Sequence, residues 1–203
     1  MSTLGLWRLT RNEYARGVYD ALKAAGVTAT RMYEYVAPLD ELPDRPLPEG
    51  VTVERRRGSE VDAAERADFA DPAPTDDVLV AREDGAVVGY LFVSDRTVHV
   101  AALDADLSFE GAYVWRAFVE PEHRQRGIAT GLVARALALA RERGCESVHA
   151  LIAADNRPSQ WAFEACGFRR RHVYSYLKLR GFERRRLELA PGARPRHGAG
   201  TGG

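Results

Sequence analysis

The stretch Arg124-Gln125-Arg126-Gly127-Ile128-Ala129-Thr130 places two guanidiniums, a glycine, a small side chain and a hydroxyl between an apolar run and a helix-periodic one. The first turn of a helix leaves several backbone N–H groups without partners, and its dipole is positive there. A phosphate satisfies both demands. Gly127 lets the chain turn sharply and lets an anion approach with no Cβ in the way. Ala129 is the smallest substitute for a second glycine, and Thr130 offers a hydroxyl as donor or cap. Arg124 and Arg126 either attract the anion or brace the loop, and His123 lies beside them as a solvated neighbour. A hydrogen bond to a charged group is worth roughly 1.5–3 kcal/mol. Three or four of them cover much of the ~8 kcal/mol of micromolar binding. The spacing is neither a Walker loop, which ends Gly-Lys-Ser/Thr, nor the Gly-x-Gly-x-x-Gly dinucleotide fingerprint. Two readings stay open on the residues alone: a pyrophosphate cradle, or a basic loop entering a helix.

The elements that must position this corner follow from periodicity. A strand over 110–120 leads in, and a helix over 131–144 leads out, its stripe formed by Leu132, Val133, Ala136, Leu137 and Ala140. Strands are expected at 51–57, 77–82, 86–94, 98–104, 147–153 and 172–181. Asp84-Gly85 suits a tight hairpin between two of them. Short helices are expected at 59–70, opened by Ser59, and at 157–166, ended by Gly167. An amphipathic helix over 8–25 and a strand over 31–37 precede a connector, 38–50, with four prolines, which marks the edge of the main domain. The division is therefore an extension over 1–50, a domain over 51–190 and a disordered tail over 191–203. The pattern argues for an α+β sheet with helices on its faces.

Composition excludes several classes. Formal net charge is +0 over 203 residues, so bulk charge favours neither nucleic acid nor membrane as a partner. The arginine runs 55–57, 169–171 and 184–186 are short enough to be solvated faces. The longest apolar run, 86–93, falls far short of the roughly 20 residues of a spanning helix. The first residues lack the pattern of a secretory signal. Cys145 and Cys166 form no disulfide framework and no metal spacing, which fits two reduced thiols in a cytoplasmic protein.

Two blocks of residues together resemble the GNAT N-acetyltransferase superfamily. Val119, Pro121, Arg124, Gly127, Ile128 and Ala129 stand in the register of its Val-x-Pro and Arg/Gln-x-x-Gly-x-Gly/Ala motif. Asn156, Phe163, Gly167 and Phe168 stand at the offsets of its asparagine, helix and Gly-Phe block. The resemblance covers residues 51–180 and implies a mixed, mostly antiparallel central sheet, splayed at a cofactor cleft and flanked by helices. It implies that acetyl-CoA is the co-substrate, with no metal. The backbone of Gln125, Arg126, Gly127, Ile128, Ala129 and Thr130 would then hold the pyrophosphate, with Arg124 among the cofactor-binding residues. Main-chain groups of Phe118 and Val119 would pair with the pantetheine arm, Asn156 would hydrogen-bond it, and Phe163 would pack beside it. The implied activity is acyl transfer to a primary amine by direct attack, the acceptor being a small molecule or a peptide.

One departure bears on catalysis. Many members carry a tyrosine seven residues after the asparagine as proton donor to the leaving thiolate, and here that residue is Phe163, which cannot donate. Tyr113, Tyr174, Tyr176 or water would replace it, or the acid is dispensable. For the base, Glu110, Glu120, His149 and Asp155 lie near strand ends. Trp115 and Trp161 either wall an acceptor pocket or belong to the core. The alternative to an enzyme is a CoA-binding sensor, and residues 1–50 either cover the acceptor side or form a homodimer contact.

Overall fold

The structure, a computed structural model, describes residues 27–179 and 182–190. In chain order the elements are β1 (Val27–Pro38), β2 (Val51–Arg57), β3 (Asp77–Glu83), β4 (Ala86–Ser94), β5 (Val98–Val100), β6 (Ala105–Leu107) and β7 (Ala112–Val119). Then follow α1 (Ile128–Glu142), β8 (Ser147–Ala153), α2 (Arg157–Glu164), β9 (Arg169–Leu179) and β10 (Phe182–Leu189). Eight strands form one sheet in the order β10-β9-β1-β8-β7-β4-β3-β2, and β5 pairs with β6 in a separate hairpin. Every neighbouring pair in the large sheet is antiparallel except β7–β8, which is parallel. Parallel neighbours need a crossover, and α1 supplies it.

Local chemistry explains the pieces nearest the site. Asp84 and Gly85 take φ of 50° and 81°, the left-handed pair that a two-residue hairpin needs. Helix α1 turns Ile128, Leu132, Val133, Ala136, Leu137 and Ala140 onto one face of the sheet. There they meet Leu79, Ala81, Leu91, Val93, Val114, Val148, Ala150 and Ile152 in the main core. Side chains alternate along a strand. The alternate residues of β3 and β4, Val78, Val80, Tyr90 and Phe92, therefore face the other way and build a second cluster with Phe69, which comes from the turn 67–70. Phe69 meets Tyr90 edge-on at 5.4 Å, and Tyr90 stacks on Phe92 at 5.4 Å.

Four expectations change. The helix expected over 59–70 is two short 3-10 turns, Gly58–Glu60 and Ala67–Ala70, and Ala64 is exposed while Phe69 alone of its inward set is buried. Glu60, Asp62, Glu65, Arg66 and Asp68 interrupt that segment and leave it no continuous apolar stripe. The strand expected over 98–104 stops at Val100 and turns back as β6. The strand at the end of the domain is β9, which starts at Arg169, and it continues into β10, which alternation alone did not reveal.

The largest difference concerns β1. It lies between β8 and β9 inside the sheet, with Tyr35 fully buried, so the proline-rich connector does not separate it from the domain. The connector itself is packed. Arg45 donates through Nε and Nη2 to the Ala165 carbonyl at 3.1 and 2.7 Å, tying it to the end of α2. Leu47 rests on α1 at Gly131, where a Cβ would fall 2.6 Å from the leucine methyl. The expected helix over 8–25 and the tail over 191–203 lie outside the described residues. No helix among the described residues is long and apolar enough to cross a membrane.

Candidate functional site

The chain leaves β7 through a 3-10 turn, Pro121–His123, and enters α1 across Gln125 at φ 63° and Gly127 at φ 90°. The two left-handed residues aim successive amides to one side. The first intrahelical bond is Gly131 N–H to the Gly127 carbonyl at 2.9 Å. The amides of Gln125, Arg126, Gly127, Ile128, Ala129 and Thr130 find no acceptor among the described residues. A Cβ built on Gly127 would meet only the Thr130 hydroxyl, at 3.9 Å, so the space over the turn is open. Thr130 Oγ1 donates to the Gly127 carbonyl at 2.8 Å. Of the two roles open to that hydroxyl, it therefore fastens the turn.

The two arginines also brace. Arg124 Nε donates to the Val119 carbonyl at 3.0 Å. Arg126 grips Glu83 with both terminal nitrogens, at 2.8 and 2.5 Å, and His123 Nε2 lies 3.2 Å from the same carboxylate. The Arg126 hydrogen bonds hold the Glu83 carboxyl below its ordinary value. The corner's anion-binding capacity thus rests on main-chain donors and the helix dipole, with guanidiniums fixing its shape.

A cleft opens beside it. Strands β7 and β8 pair only from Ala112↔Val148 to Val114↔Ala150. Beyond that point β7 stays with β4, and β8 stays with β1 as far as Met32↔Ala153. The parting coincides with a bulge in β7, where Arg116 takes φ 52° and the register with β4 shifts. Glu120 N–H donates to Val88 at 2.9 Å, so ladder alternation turns the main-chain groups of Val119 away from β4 and toward the cleft. Phe118 stacks its ring on Tyr90 at 5.3 Å. Across the cleft mouth Asn156 is the exposed N-cap of α2, and its Oδ1 accepts from Ser159 N–H at 3.3 Å. The corner, Val119 and Asn156 all lie at the carboxyl ends of the two parallel strands. Phe163 instead faces the core, 4% exposed and edge-on to Phe168 at 4.9 Å.

On the sheet face opposite α1 a polar cluster is buried. Glu34 of β1 places Oε1 2.7 Å from His149 Nδ1 and Oε2 2.5 Å from His172 Nδ1. Burial pushes the Glu34 carboxyl up, but the contacts with His149 and His172 outweigh it and hold the group below its ordinary value. Tyr174 lies against the same carboxylate, and burial together with that charge raises its phenol to about 12. Burial also raises Tyr113, which stacks on Phe109 at 4.6 Å, so its hydroxyl stays protonated at any physiological pH. Tyr176 turns to Asp104 at 3.3 Å.

The other candidates are engaged elsewhere. Glu120 pairs with Arg66 at 2.6 Å. Glu110 offers its carbonyl to Ser147 at 2.7 Å, and Asp155 offers its own to Arg157 N–H at 3.0 Å. Trp115 donates to Ser94 at 2.8 Å, packed edge-on against Phe92, while Trp161 is 65% exposed. Cys145 and Cys166 are free, and burial pushes the Cys166 thiol up to about 11, which leaves it unreactive. Glu34 and His172 were not among the sequence candidates. The one usable signal was a lone glutamate among the aromatics of 31–37.

The sequence model described as the Acetyltransferase (GNAT) family matches residues 39–168. Among solved structures, a GCN5-related N-acetyltransferase from Kribbella flavida aligns with TM-score 0.55 at 18% identity, over 83% of this chain and 67% of that one. An acetyltransferase of the GNAT family from Novosphingobium aromaticivorans gives 0.51 at 21%, over 82% and 69%. A Drosophila protein gives 0.51 at 18%, over 82% of this chain but only 57% of its own length. At these identities the likeness is one of fold. No curated protein matches the sequence significantly. The family match spans the connector, the parted parallel strands and the unpaired corner that the geometry had already brought together, and the chain belongs to the GNAT acetyltransferase family.

Proposed function

We propose that this domain transfers an acetyl group from acetyl-CoA to a primary amine of a small molecule or peptide. Acyl transfer as such follows from the family. The observation that carries the finer reading is the run of six unpaired amides from Gln125 to Thr130 at an open, left-handed turn. Buried or partly buried N–H groups are almost always paired, so a run of free donors facing open space suits a multiply charged oxyanion. Those amides hold the pyrophosphate. The Val119 edge of β7, freed where β7 and β8 part, pairs with an extended amide-bearing arm while the Phe118 main chain stays in the β4 ladder, and Asn156 Nδ2 donates to the arm across the mouth. Phe163 supports that wall from beneath through Phe168. When bound, the thioester supplies an activated acyl carbon and a thiolate as leaving group.

The chain's own groups complete the site. The Val119 N–H, turned into the cleft, polarises the acyl carbonyl. Tyr113 sits in the next-to-last parallel pair before the strands part, opposite His149, and its protonated hydroxyl replaces the one that Phe163 lacks. Two free thiols fit a cytoplasmic setting. Thiol release from acetyl-CoA, assayed over spermine, lysine, kanamycin and an alanyl tripeptide, tests the reading. Release that depends on at least one amine supports it. Saturable binding with no release from any amine would make the domain a CoA sensor instead.

A further inference from the structure

The Glu34 cluster is asymmetric, and the asymmetry points to chemistry. His149 uses both ring nitrogens. Nδ1 meets Glu34 Oε1, while Nε2 lies 3.1 Å from the Glu110 carbonyl and 3.2 Å from Ser147 Oγ. The Ser147 hydrogen is itself committed to the Glu110 carbonyl at 2.7 Å, so both partners of Nε2 present lone pairs. A hydrogen on Nε2 is therefore required, and the ring is held further by Phe109, 5.2 Å away. His149 is a fixed anchor, 7% exposed. His172 differs. Its Nδ1 donates to Glu34 Oε2, but its Nε2 has no partner among the described residues, and its side chain is 26% exposed. A carboxylate that orients one imidazole nitrogen and leaves the other open is the arrangement of a general base.

Position agrees. Glu34 pairs with Leu151 of β8 and with His172 of β9. Leu151 is the first residue of β8 beyond the last parallel pair, Val114↔Ala150, so along the strands Glu34 and His172 stand level with the cleft, Glu34 one strand and His172 two strands over from β8. Alternation puts both on the face opposite α1, with Tyr113 and Tyr174. The titratable groups that share this face with His172 are Glu34 from β1, which touches it, His149 from β8, Tyr174 from its own strand and Tyr113 from β7. Leu189, opposite it on β10, carries no charge. Burying a carboxylate costs several kcal/mol unless it is fully paired.

We infer that His172, oriented through Nδ1 by Glu34, is the base that takes a proton from the acceptor amine, directly or through one water, with His149 fixing Glu34. The inference rests on the acyl-transfer reading above. His172 Nε2 takes one proton from the substrate ammonium and frees its lone pair. That pair forms the C–N bond as the thioester C–S bond breaks, its electrons staying on sulfur. Of the two protons the nitrogen loses, one remains on His172 and passes to solvent, and the other goes to the departing sulfur, giving amide and thiol.

The test pairs chemistry on the free protein with kinetics. Diethyl pyrocarbonate, mapped by mass spectrometry without any CoA present, modifies an open imidazole nitrogen; the expected product carries the label on His172 and not on His149. His172→Gln lowers amine-dependent thiol release by about 10²–10⁴-fold, abolishes the rising limb of the pH–rate profile and leaves CoA affinity within twofold. His172→Ala regains part of its turnover with added imidazole. Glu34→Gln keeps CoA affinity and lowers turnover less than His172→Gln does. Retention of at least a third of turnover by His172→Gln, with an unchanged pH profile, would overturn the role while leaving the acyltransferase intact. Labelling of His149 in preference to His172 would overturn it too. A wild-type protein that releases no thiol with any amine would bring down both readings together.

Discussion

Two polar regions of the molecule treat their hydrogen-bonding groups in opposite ways. At the corner after β7, six consecutive amides have no partner among the described residues, and the nearby guanidiniums are spent on Val119 and Glu83. Under the opposite face of the sheet, Glu34 has both oxygens engaged, and of the two imidazoles it holds, His172 Nε2 is the nitrogen without a partner among the described residues. The contrast separates binding from proton transfer. A site for a solvated polyanion keeps donors ready and exposed, since unmade bonds there are lent to water at little loss. A base must hold its own orientation before substrate arrives, so its partners are satisfied internally.

The comparison can be broken most forcefully at Glu34. Glu34→Ala removes the shared partner of two imidazoles, and loss of one member of a buried pair costs about 3–5 kcal/mol. Chemical denaturation is expected to show it, and a loss below ~1 kcal/mol would mean that the cluster is not closed as described. The same carboxylate sets an acid limb. Its folded value lies below the ordinary 4.5, so the native state binds this proton less readily than the unfolded chain does. Its contribution is full above the unfolded value and is lost as pH falls through the folded one. Glu34→Gln should therefore flatten the decline in stability below about pH 4.5. An unchanged acid limb would assign that decline to other carboxylates.

At the corner, Gly127→Glu places a carboxylate where the amides converge, and at least a 100-fold loss of CoA affinity is expected, about 2.7 kcal/mol. Its left-handed φ also costs about 1–2 kcal/mol of folding stability. Gly127→Ala carries that strain without the charge, so its affinity should fall much less, and equal losses in the two variants would point to the backbone alone. Asn156→Ala removes the cap on Ser159 N–H, at about 1 kcal/mol, and should weaken CoA binding by several-fold. Phe163→Tyr is the mildest for binding, because the ring faces Phe168 and the core. Affinity is expected within twofold, while a tenfold loss would place that ring in the cleft.

The corner was legible because its determinants are contiguous. Gly127, Ala129, Thr130 and the apolar stripe of α1 lie within a few turns of one another, and helix starts are written locally. The Asp84-Gly85 hairpin and the strand 147–153 were readable for the same reason. The Glu34 cluster was not, because its members lie 115 and 138 residues apart in sequence and meet only through the β9-β1-β8 order. Placing 31–37 outside the domain hid the one strand that joins them. Four prolines around residues 38–50 signal a break in regular structure, but not whether the strand before them returns to the sheet. The 59–70 segment differs: Val61, Ala64 and Phe69 have helical spacing, yet only Phe69 is buried, Val61 packs at the edge of the second cluster and Ala64 is exposed.

Isothermal calorimetry of the folded protein with acetyl-CoA, repeated with Gly127→Glu, bears most directly on the corner. Saturable micromolar binding at one site, lost in the variant while its thermal unfolding stays cooperative, is the predicted result. No heat from the wild-type protein, or equal affinity in the two, would contradict it.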